Sequence, residues 1–158
     1  MDLFDDEFLS FWSILNKHQV KYIMIGGVAT NLHGYQRSTD DIDVWIEDTL
    51  ENRSNMRRAF KEYSRVDYFM IETMKIVTGF TNFNLNNGFR LDLMVKVKGL
   101  EDLSFDECLS LASIADILSV KIPFLHINHL IASKKAANRP KDQIDVIYLE
   151  KIQNIQEQ

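Results

Sequence analysis

Apolar residues recur along the chain with two different periods, which divide it into helical and extended segments. Residues 3–17 carry Leu, Phe, Trp and Ile at three- and four-residue spacing, which predicts an amphipathic helix. Residues 20–26 are apolar at most positions, which is typical of a central strand covered on both faces. Gly26 and Gly27 end this strand, and residues 28–35 are predicted to form a short helix.

The next four segments alternate between the same two periods. Residues 41–47 alternate between apolar and polar, which predicts a strand with one buried face, and residues 50–63 return to helical spacing. Residues 75–85 and 89–97 are predicted to be two strands of a hairpin. The Asn-Asn-Gly sequence between them contains the Asn-Gly pair that tight hairpin turns favour.

The C-terminal part of the sequence adds further helices and strands. Ser104 and Glu107 have the spacing of a capping box, which predicts a helix beginning at this point. Pro140 suits the first position of a later helix. The patterns predict strands at 113–117 and 121–127, and helices at 128–138 and 140–153.

This order of elements predicts an α/β or α+β fold with a mixed sheet flanked by helices. We expect a single domain over residues 1–158, with its core at about 18–150, an N-terminal helix at 3–17 and C-terminal helices at about 128–155. No internal repeat, low-complexity segment or Pro/Gly/Ser linker divides the sequence.

Composition narrows the functional class. The 158 residues are 46% apolar, enough for one core, and the net charge of -5 argues against coating nucleic acid or an anionic membrane. The single cysteine, Cys108, cannot form an internal disulfide and is expected to be a core residue on an amphipathic helix. The acidic N-terminal residues do not resemble a signal peptide, and no apolar run approaches the length of a membrane span. These features predict a soluble, cytoplasmic protein.

Two aspartates point away from the core face of the predicted strand 41–47. Because side chains alternate along a strand, Asp41 and Asp43 share the second face with Trp45, whereas Asp40 is interpreted as a turn or cap residue. A solvent-exposed polar face would also explain the alternation. However, paired aspartates are poor strand formers and repel each other unless a cation neutralises them. Mg²⁺ prefers such carboxylates together with substrate phosphates.

A third aspartate follows the same pattern on a later strand. Asp92 lies opposite the core face that Leu91 and Leu93 form in the segment 89–97. If this strand neighbours 41–47 in the sheet, Asp92 can join the first two acids. Three carboxylates on adjacent strands would make a two-metal site for phosphoryl transfer.

A glycine pair precedes the acidic strand. A strand that ends at Gly26 and Gly27 and turns into a helix presents free backbone N–H groups, and glycine lets a phosphate approach closely. Such a pair is often only a turn. The Asp-x-Asp strand that follows it favours a phosphate-binding role.

These motifs occur in the order found in the DNA polymerase β-like nucleotidyltransferase superfamily, which the chain resembles over residues 18–150, nearly its whole length. It is most similar to small stand-alone bacterial members, the minimal nucleotidyltransferases and the abortive-infection toxin type. Gly-Gly stands where other members have Gly-Ser. Besides Gly26-Gly27, Asp41-Ile42-Asp43 and Asp92, the shared residues are His33, Gly34, Arg37, Thr39, Lys134, Arg139, Pro140, Lys141, Asp142 and Asp145.

The resemblance implies a catalytic palm of sheet and helices, with a role for each matching residue. Asp41, Asp43 and Asp92 would be the catalytic residues and would bind two Mg²⁺ ions with the nucleoside triphosphate (NTP). Asp92 would also help to deprotonate the acceptor hydroxyl. The implied nucleotide-binding residues are Gly26, Gly27, Arg37, Thr39, Lys134 and Lys141.

The expected activity is Mg²⁺-dependent transfer of NMP from an NTP to a hydroxyl of a small molecule, a protein or an RNA. The alternative is a toxin–antitoxin partner with the same fold that acts mainly by binding protein. The expected partners are the NTP, an unidentified acceptor and either a second protein or a second copy of the chain. No membrane and no general nucleic-acid binding are expected.

Several other residues near these motifs have two possible explanations. Lys134 and Lys141 belong to a basic run that could bind phosphate or form a solvated helix face. The phosphate role is favoured for Lys134, whereas Lys141 could equally form a surface pair with Asp145. Trp45 could stack on a base or cover the sheet, and Tyr35 has the same ambiguity. His33 fits a packed or capping role better than a metal site.

Overall fold

Six strands form one mixed sheet that positions the rest of the protein. The computed structural model describes residues 2–158, and Met1 lies outside the described residues. The strand order is β3-β4-β2-β1-β6-β5, with β1/β6 and β2/β4 parallel and the other neighbours antiparallel. The strands are β1 (Tyr22–Ile25), β2 (Asp41–Ile46), β3 (Asn82–Asn84), β4 (Arg90–Met94), β5 (Ser113–Ile117) and β6 (Val120–Phe124). The helices are α1 (Asp6–Lys17), α2 (Gly26–Leu32), α3 (Leu50–Ser64), α4 (Phe105–Leu111), α5 (Ile127–Ala137) and α6 (Pro140–Gln156), with a short 3₁₀ helix at Phe69–Glu72.

One face of the sheet is closed by α1 and α3 through an aromatic core. Asp5 caps α1 by accepting a hydrogen bond from the backbone N–H of Phe8. Trp12 of α1 stacks on Tyr22 of β1 at 5.1 Å, and Phe11 packs on Phe60 of α3. Trp12, Tyr22 and Phe11 are among the largest fully buried side chains, and these aromatic contacts hold both helices against the sheet.

The second face of the sheet is covered only in part. Trp45 is buried and its ring packs edge-on against Phe105 of α4, at 5.3 Å between ring centres. The capping box of Ser104 and Glu107 fixes the start of α4 as the sequence predicts, and Cys108 in this helix is buried. Leu130 of α5 is also buried, and this helix borders a cavity on the same face of the sheet. The part of β2 and β4 that carries Asp41, Asp43 and Asp92 lines this cavity.

The fold class predicted from the sequence is confirmed, but the predicted hairpin is wrong in detail. The segment 75–81 is not a strand: the side-chain hydroxyl of Thr81 accepts a hydrogen bond from the backbone of Val77, which closes a turn. The predicted turn is confirmed: the backbone N–H of Leu85 donates to the carbonyl oxygen of Phe89 at 2.8 Å, and the three residues 86–88 lie between them. The last of these three, Gly88, adopts φ +87°, which glycine tolerates best.

The remaining differences lie at the ends of elements. Strand β4 ends at Met94 rather than 97, and β6 ends at Phe124 because His126 caps α5. Pro140 is the first residue of α6, as predicted, and this helix extends to Gln156. No helix within residues 2–158 is long and apolar enough to cross a membrane.

Gly99 offers a test of how tightly the loop after β4 packs on α5. An alanine at Gly99 would adopt φ +91° and place its Cβ 2.7 Å from the carbonyl oxygen of Ala132 and 2.9 Å from Cβ of Ala136. At Gly88 the φ angle is similar, but nothing lies within 4 Å. We expect Gly99→Ala to lower the free energy of unfolding by about 2 kcal/mol more than Gly88→Ala, in urea denaturation. Equal losses would show that only backbone strain matters at Gly99.

Candidate active site

The three predicted carboxylates meet because β2 and β4 are neighbouring parallel strands. In their register, Asp43 lies beside Asp92, and Asp41 lies beside Arg90. Since Asp41 and Asp43 are two residues apart, as are Arg90 and Asp92, all four side chains share one face of the sheet. They line a cavity of about 400 Å³ that α5 and α6 also border. The sequence-based expectation that Asp92 joins the other two acids is therefore met.

Arg90 bridges two of these carboxylates. Its Nη2 donates a hydrogen bond to Oδ2 of Asp41 at 2.9 Å, and longer bonds of 3.3 and 3.4 Å run from Nη2 and Nε to Oδ2 of Asp92. Oδ1 of Asp92 lies 3.2 Å from Nε of Arg90, within ion-pair distance, but it accepts no hydrogen bond from the described residues. Asp92 is 5% exposed, so a buried carboxylate oxygen is left without a hydrogen-bond partner.

Asp43 lies next to both other acids, and its surroundings raise the pKa of its carboxyl group. Burial raises its pKa to about 6, and the charges of Asp92 and Asp41 act in the same direction. Lys141 and Lys134 oppose this shift without cancelling it. The raised pKa shows that a negative charge on Asp43 is unfavourable beside the other two acids, and a bound cation would relieve that repulsion.

The acids fit a divalent cation in chemistry, although they are not gathered around one position. Within residues 2–158, no group of three His, Cys, Asp or Glu side chains converges closely enough to hold a metal ion. The free Oδ1 of Asp92 and the raised pKa of Asp43 both mark a place where a cation would satisfy a buried carboxylate. Oxygen donors of this kind suit Mg²⁺.

The glycine pair lies directly beside the carboxylates. Gly26 adopts φ +67°, and a Cβ at this position would overlap Oδ2 of Asp43. A Cβ on Gly27 would lie 2.6 Å from the hydroxyl of Thr39 and 3.2 Å from Nη1 of Arg37. The Thr39 hydroxyl donates to the backbone carbonyl of Asp41 at 3.1 Å, which fixes the end of the loop where β2 begins. Glycine is therefore required here by the close approach of the acidic strand and its loop.

Two of the predicted phosphate-binding cations are held by a buried acid. Asp145 of α6 accepts a bidentate pair of hydrogen bonds from Arg37, at 2.7 and 2.8 Å, and another from Nζ of Lys134 at 2.7 Å. Burial alone would raise the pKa of Asp145, but these hydrogen bonds outweigh it and hold the pKa below its ordinary value. The network joins the loop before β2 to both C-terminal helices.

A second cavity of about 240 Å³ adjoins the first and contains the remaining predicted residues. Gly27, Arg37 and Thr39 line it, and Gly26, Asp41, Asp43, Lys134, Arg139 and Lys141 line both cavities. Lys141 is exposed and makes no ion pair with the described part of the chain, whereas Arg139 is bound by Asp142 at 2.7 Å. Every predicted site residue therefore borders one of two joined cavities.

Sequence reasoning missed the partners of these residues. Arg90 could have been noticed, because it precedes Asp92 by two positions and must share its face of the strand. Asp142 and Asp145 are matched in the motif, but their burial beneath Lys134 depends on how α5 and α6 pack, which local pattern does not reveal.

Three of the residues with two possible explanations, Trp45, Tyr35 and His33, make contacts within the fold. Trp45 covers the sheet, and Tyr35 stacks on Tyr148 of α6 at 4.2 Å with nearly parallel rings. His33 is packed, as expected: its Nε2 lies 2.7 Å from the carbonyl oxygen of Leu125, and burial lowers its pKa.

Solved structures with a similar fold are nucleotidyltransferase-like. A candidate nucleotidyltransferase from Thermotoga maritima aligns with a TM-score of 0.55 at 18% identity, covering 93% of this chain and 86% of its own. An antigenic nucleotidyltransferase-like protein from Paracoccidioides brasiliensis gives a TM-score of 0.55 at 16% identity, over 89% and 72%. ANT(2″)-Ia, in complex with adenylyl-2″-tobramycin, gives 0.50 at 16%, over 91% and 89%. At these identities the likeness shows the fold.

Sequence comparison identifies the family directly. Among curated protein sequences, none is similar enough to be matched. A family model described as nucleotidyltransferase of unknown function (DUF6036) matches residues 6–156, which include every element of the fold. The chain therefore belongs to this family of nucleotidyltransferases, enzymes within the wider nucleotidyltransferase superfamily.

Proposed function

We propose that this protein transfers a nucleoside monophosphate from an NTP to a hydroxyl group, with Mg²⁺ held by Asp41, Asp43 and Asp92. The observation that carries the proposal is the placement of these three acids on one sheet face, beside Gly26 and Gly27 and open to two joined cavities. Nucleotidyl transfer depends mainly on positioning and charge neutralisation, which this arrangement can supply.

The reaction makes one bond and breaks one. The acceptor oxygen attacks the α-phosphorus, the bond from that phosphorus to the bridging oxygen breaks, and pyrophosphate leaves. Bound Mg²⁺ would supply charge neutralisation at the attacking and leaving oxygens. We assign to Asp92 the removal of the hydroxyl proton; its side chain lines the larger cavity beside Asp43, which supports this role.

Lys141 is the best-placed cation for the triphosphate. It borders both cavities, is exposed and is not held by an acid of the described chain, unlike Arg37 and Lys134. Arg37 and Lys134 are both hydrogen-bonded to Asp145, and we assign them the supporting role of positioning the loop before β2. Thr39, which lies beside Gly27, has the same role. The acceptor is a hydroxyl group of a small molecule, a protein or an RNA.

Asp43→Asn tests the activity directly, and Asp40→Asn is its matched control in the same segment. Incubation with labelled NTPs, Mg²⁺ and candidate acceptors should give labelled product with the unaltered protein and with Asp40→Asn. Asp43→Asn should reduce the rate by about 10³-fold or more, because a charged metal ligand is lost. Transfer that survives the Asp43 change would refute the assignment.

The alternative, a toxin–antitoxin partner that acts mainly by binding protein, gives a different result with the same variants. In that case Asp43→Asn and the unaltered protein would form the same complex and have the same biological effect. Loss of the effect in Asp43→Asn alone, with the complex retained, would favour nucleotidylation of the partner.

Lys141→Gln tests the triphosphate contact. We expect it to raise the dissociation constant for Mg²⁺·NTP by roughly 5- to 20-fold, measured by calorimetry, because one direct charge contact is removed. Lys151→Gln is the control, since Lys151 lies further along α6, over the ring of Tyr148. Equal effects of both changes would indicate only a loss of overall positive charge.

Asp43 also gives a prediction for stability. Its pKa is raised from 3.8 to about 6 in the folded protein, so its ionisation opposes folding, and the loss of stability grows as pH rises from about 4 to 6. In chelator above pH 6, Asp43→Asn should therefore be more stable by about 1–2 kcal/mol, with no difference below pH 4. Thermal melts across this pH range measure the effect. A less stable Asp43→Asn at pH 8 would mean that the carboxylate itself supports the fold.

A further inference from the structure

Arg90 occupies the position between two carboxylates that the proposed function assigns to metal binding. Its guanidinium donates to Oδ2 of Asp41 at 2.9 Å and to Oδ2 of Asp92 at 3.3 Å. We propose that Arg90 is an internal counter-ion that competes with the divalent cation, so that metal binding displaces it from Asp41 and Asp92. This inference rests on the proposed function.

Arg90 reaches this position because of strand register. It lies directly opposite Asp41 on the neighbouring strand and two residues before Asp92, so that it completes a square of side chains with the three acids. Its hydrogen bond to Asp92 and the charges of Asp92 and Asp41 raise its pKa, and the guanidinium stays charged. One positive charge therefore offsets part of the repulsion among Asp41, Asp43 and Asp92.

Arg90 and a metal ion cannot both be held in this way. The guanidinium has only donors, and it uses lone pairs on the same carboxylate oxygens that a cation would coordinate. A divalent ion placed beside it would also be repelled by its charge. A metal that takes Asp41 and Asp92 as ligands must therefore break the hydrogen bonds of Arg90.

The contacts of Arg90 show that displacement is feasible. Its side chain is 48% exposed, and in residues 2–158 its hydrogen bonds go only to Asp41 and Asp92. Its bonds to Asp92 are long and leave Oδ1 of that acid free of hydrogen bonds. The side chain of Asp41 is 41% exposed, so a cation can reach this acid from the cavity, whereas Oδ1 of Asp92 is buried until Arg90 moves away. The freed guanidinium remains at the same cavity, which it lines.

Mn²⁺ binding measured by electron paramagnetic resonance tests the competition without relying on activity. Arg90→Gln should bind Mn²⁺ roughly ten-fold more tightly than the unaltered protein, because the competing charge is gone. Lys96→Gln is the charge-matched control: Lys96 lines the same cavity but is not hydrogen-bonded to the acids. It should change the affinity by roughly two-fold or less. Arg90→Lys keeps the charge and should stay close to the unaltered protein.

Thermal melting supplies a second readout. In chelator, Arg90→Gln should melt at a lower temperature than Lys96→Gln, because the carboxylates lose their counter-ion, and added Mn²⁺ should remove most of that difference. If Arg90→Gln does not fold well enough to measure, Arg90→Lys together with Lys96→Gln tests the claim: weaker Mn²⁺ binding by Arg90→Lys would overturn it.

The outcomes separate this inference from the proposed function. Unchanged or weaker Mn²⁺ binding by Arg90→Gln in a protein that transfers nucleotides would overturn the counter-ion role alone. Tighter binding in a protein that transfers nothing would support the counter-ion role and count against the proposed function. If neither the unaltered protein nor Arg90→Gln binds Mn²⁺, the counter-ion role and the metal-dependent function are both refuted.

Discussion

The repulsion among Asp41, Asp43 and Asp92 is the constraint on which the site depends. Pairing β2 with β4 in parallel places Asp43 beside Asp92 in a partly covered face of the sheet, where burial raises the pKa of Asp43. Such an arrangement is unfavourable unless cations surround it. Arg90 meets part of this need from within the sheet, and Lys134 and Lys141 act on Asp43 from the C-terminal helices. These basic residues therefore lie where they offset part of the repulsion among the acids.

The buried ion network has a different task, which is to hold the walls of the site together. Asp145 is 1% exposed and accepts hydrogen bonds from both Arg37 and Lys134, so that the loop before β2 is tied to α5 and α6. Burying such charges adds little net stability, because desolvation offsets their attraction, but removing one partner is costly. The network is therefore better explained as a device that orients the loop beside Gly27 than as a source of stability.

Local pattern predicted the fold class, most element positions and the shared face of the three acids. The alternation of apolar and polar residues alone placed Asp41, Asp43 and Asp92 off the core face. The capping box at Ser104 and the proline at position 140 predicted where two helices begin. Two features were not predicted, one set by a local turn and one by contacts between distant residues. The segment 75–81 has strand-like composition, but the Thr81 hydroxyl and a positive φ at Gly79 make it a turn. The bridge from Arg90 to Asp41 needs the register of two strands that lie far apart in sequence.

The turn at Gly26 and Gly27 packs closely against the acidic strand and the loop before it. This packing gives a second explanation for the glycine pair. A phosphate-binding turn needs glycine so that a ligand can approach the backbone. Here a Cβ on Gly26 would already overlap Oδ2 of Asp43, and one on Gly27 would crowd Thr39, with no ligand involved. The glycines are thus demanded first by the packing of the turn against the acidic strand and its loop. Because this close packing leaves no side chain between them, the turn and the carboxylates border one continuous space, in which a triphosphate and the cation that neutralises it would lie next to each other.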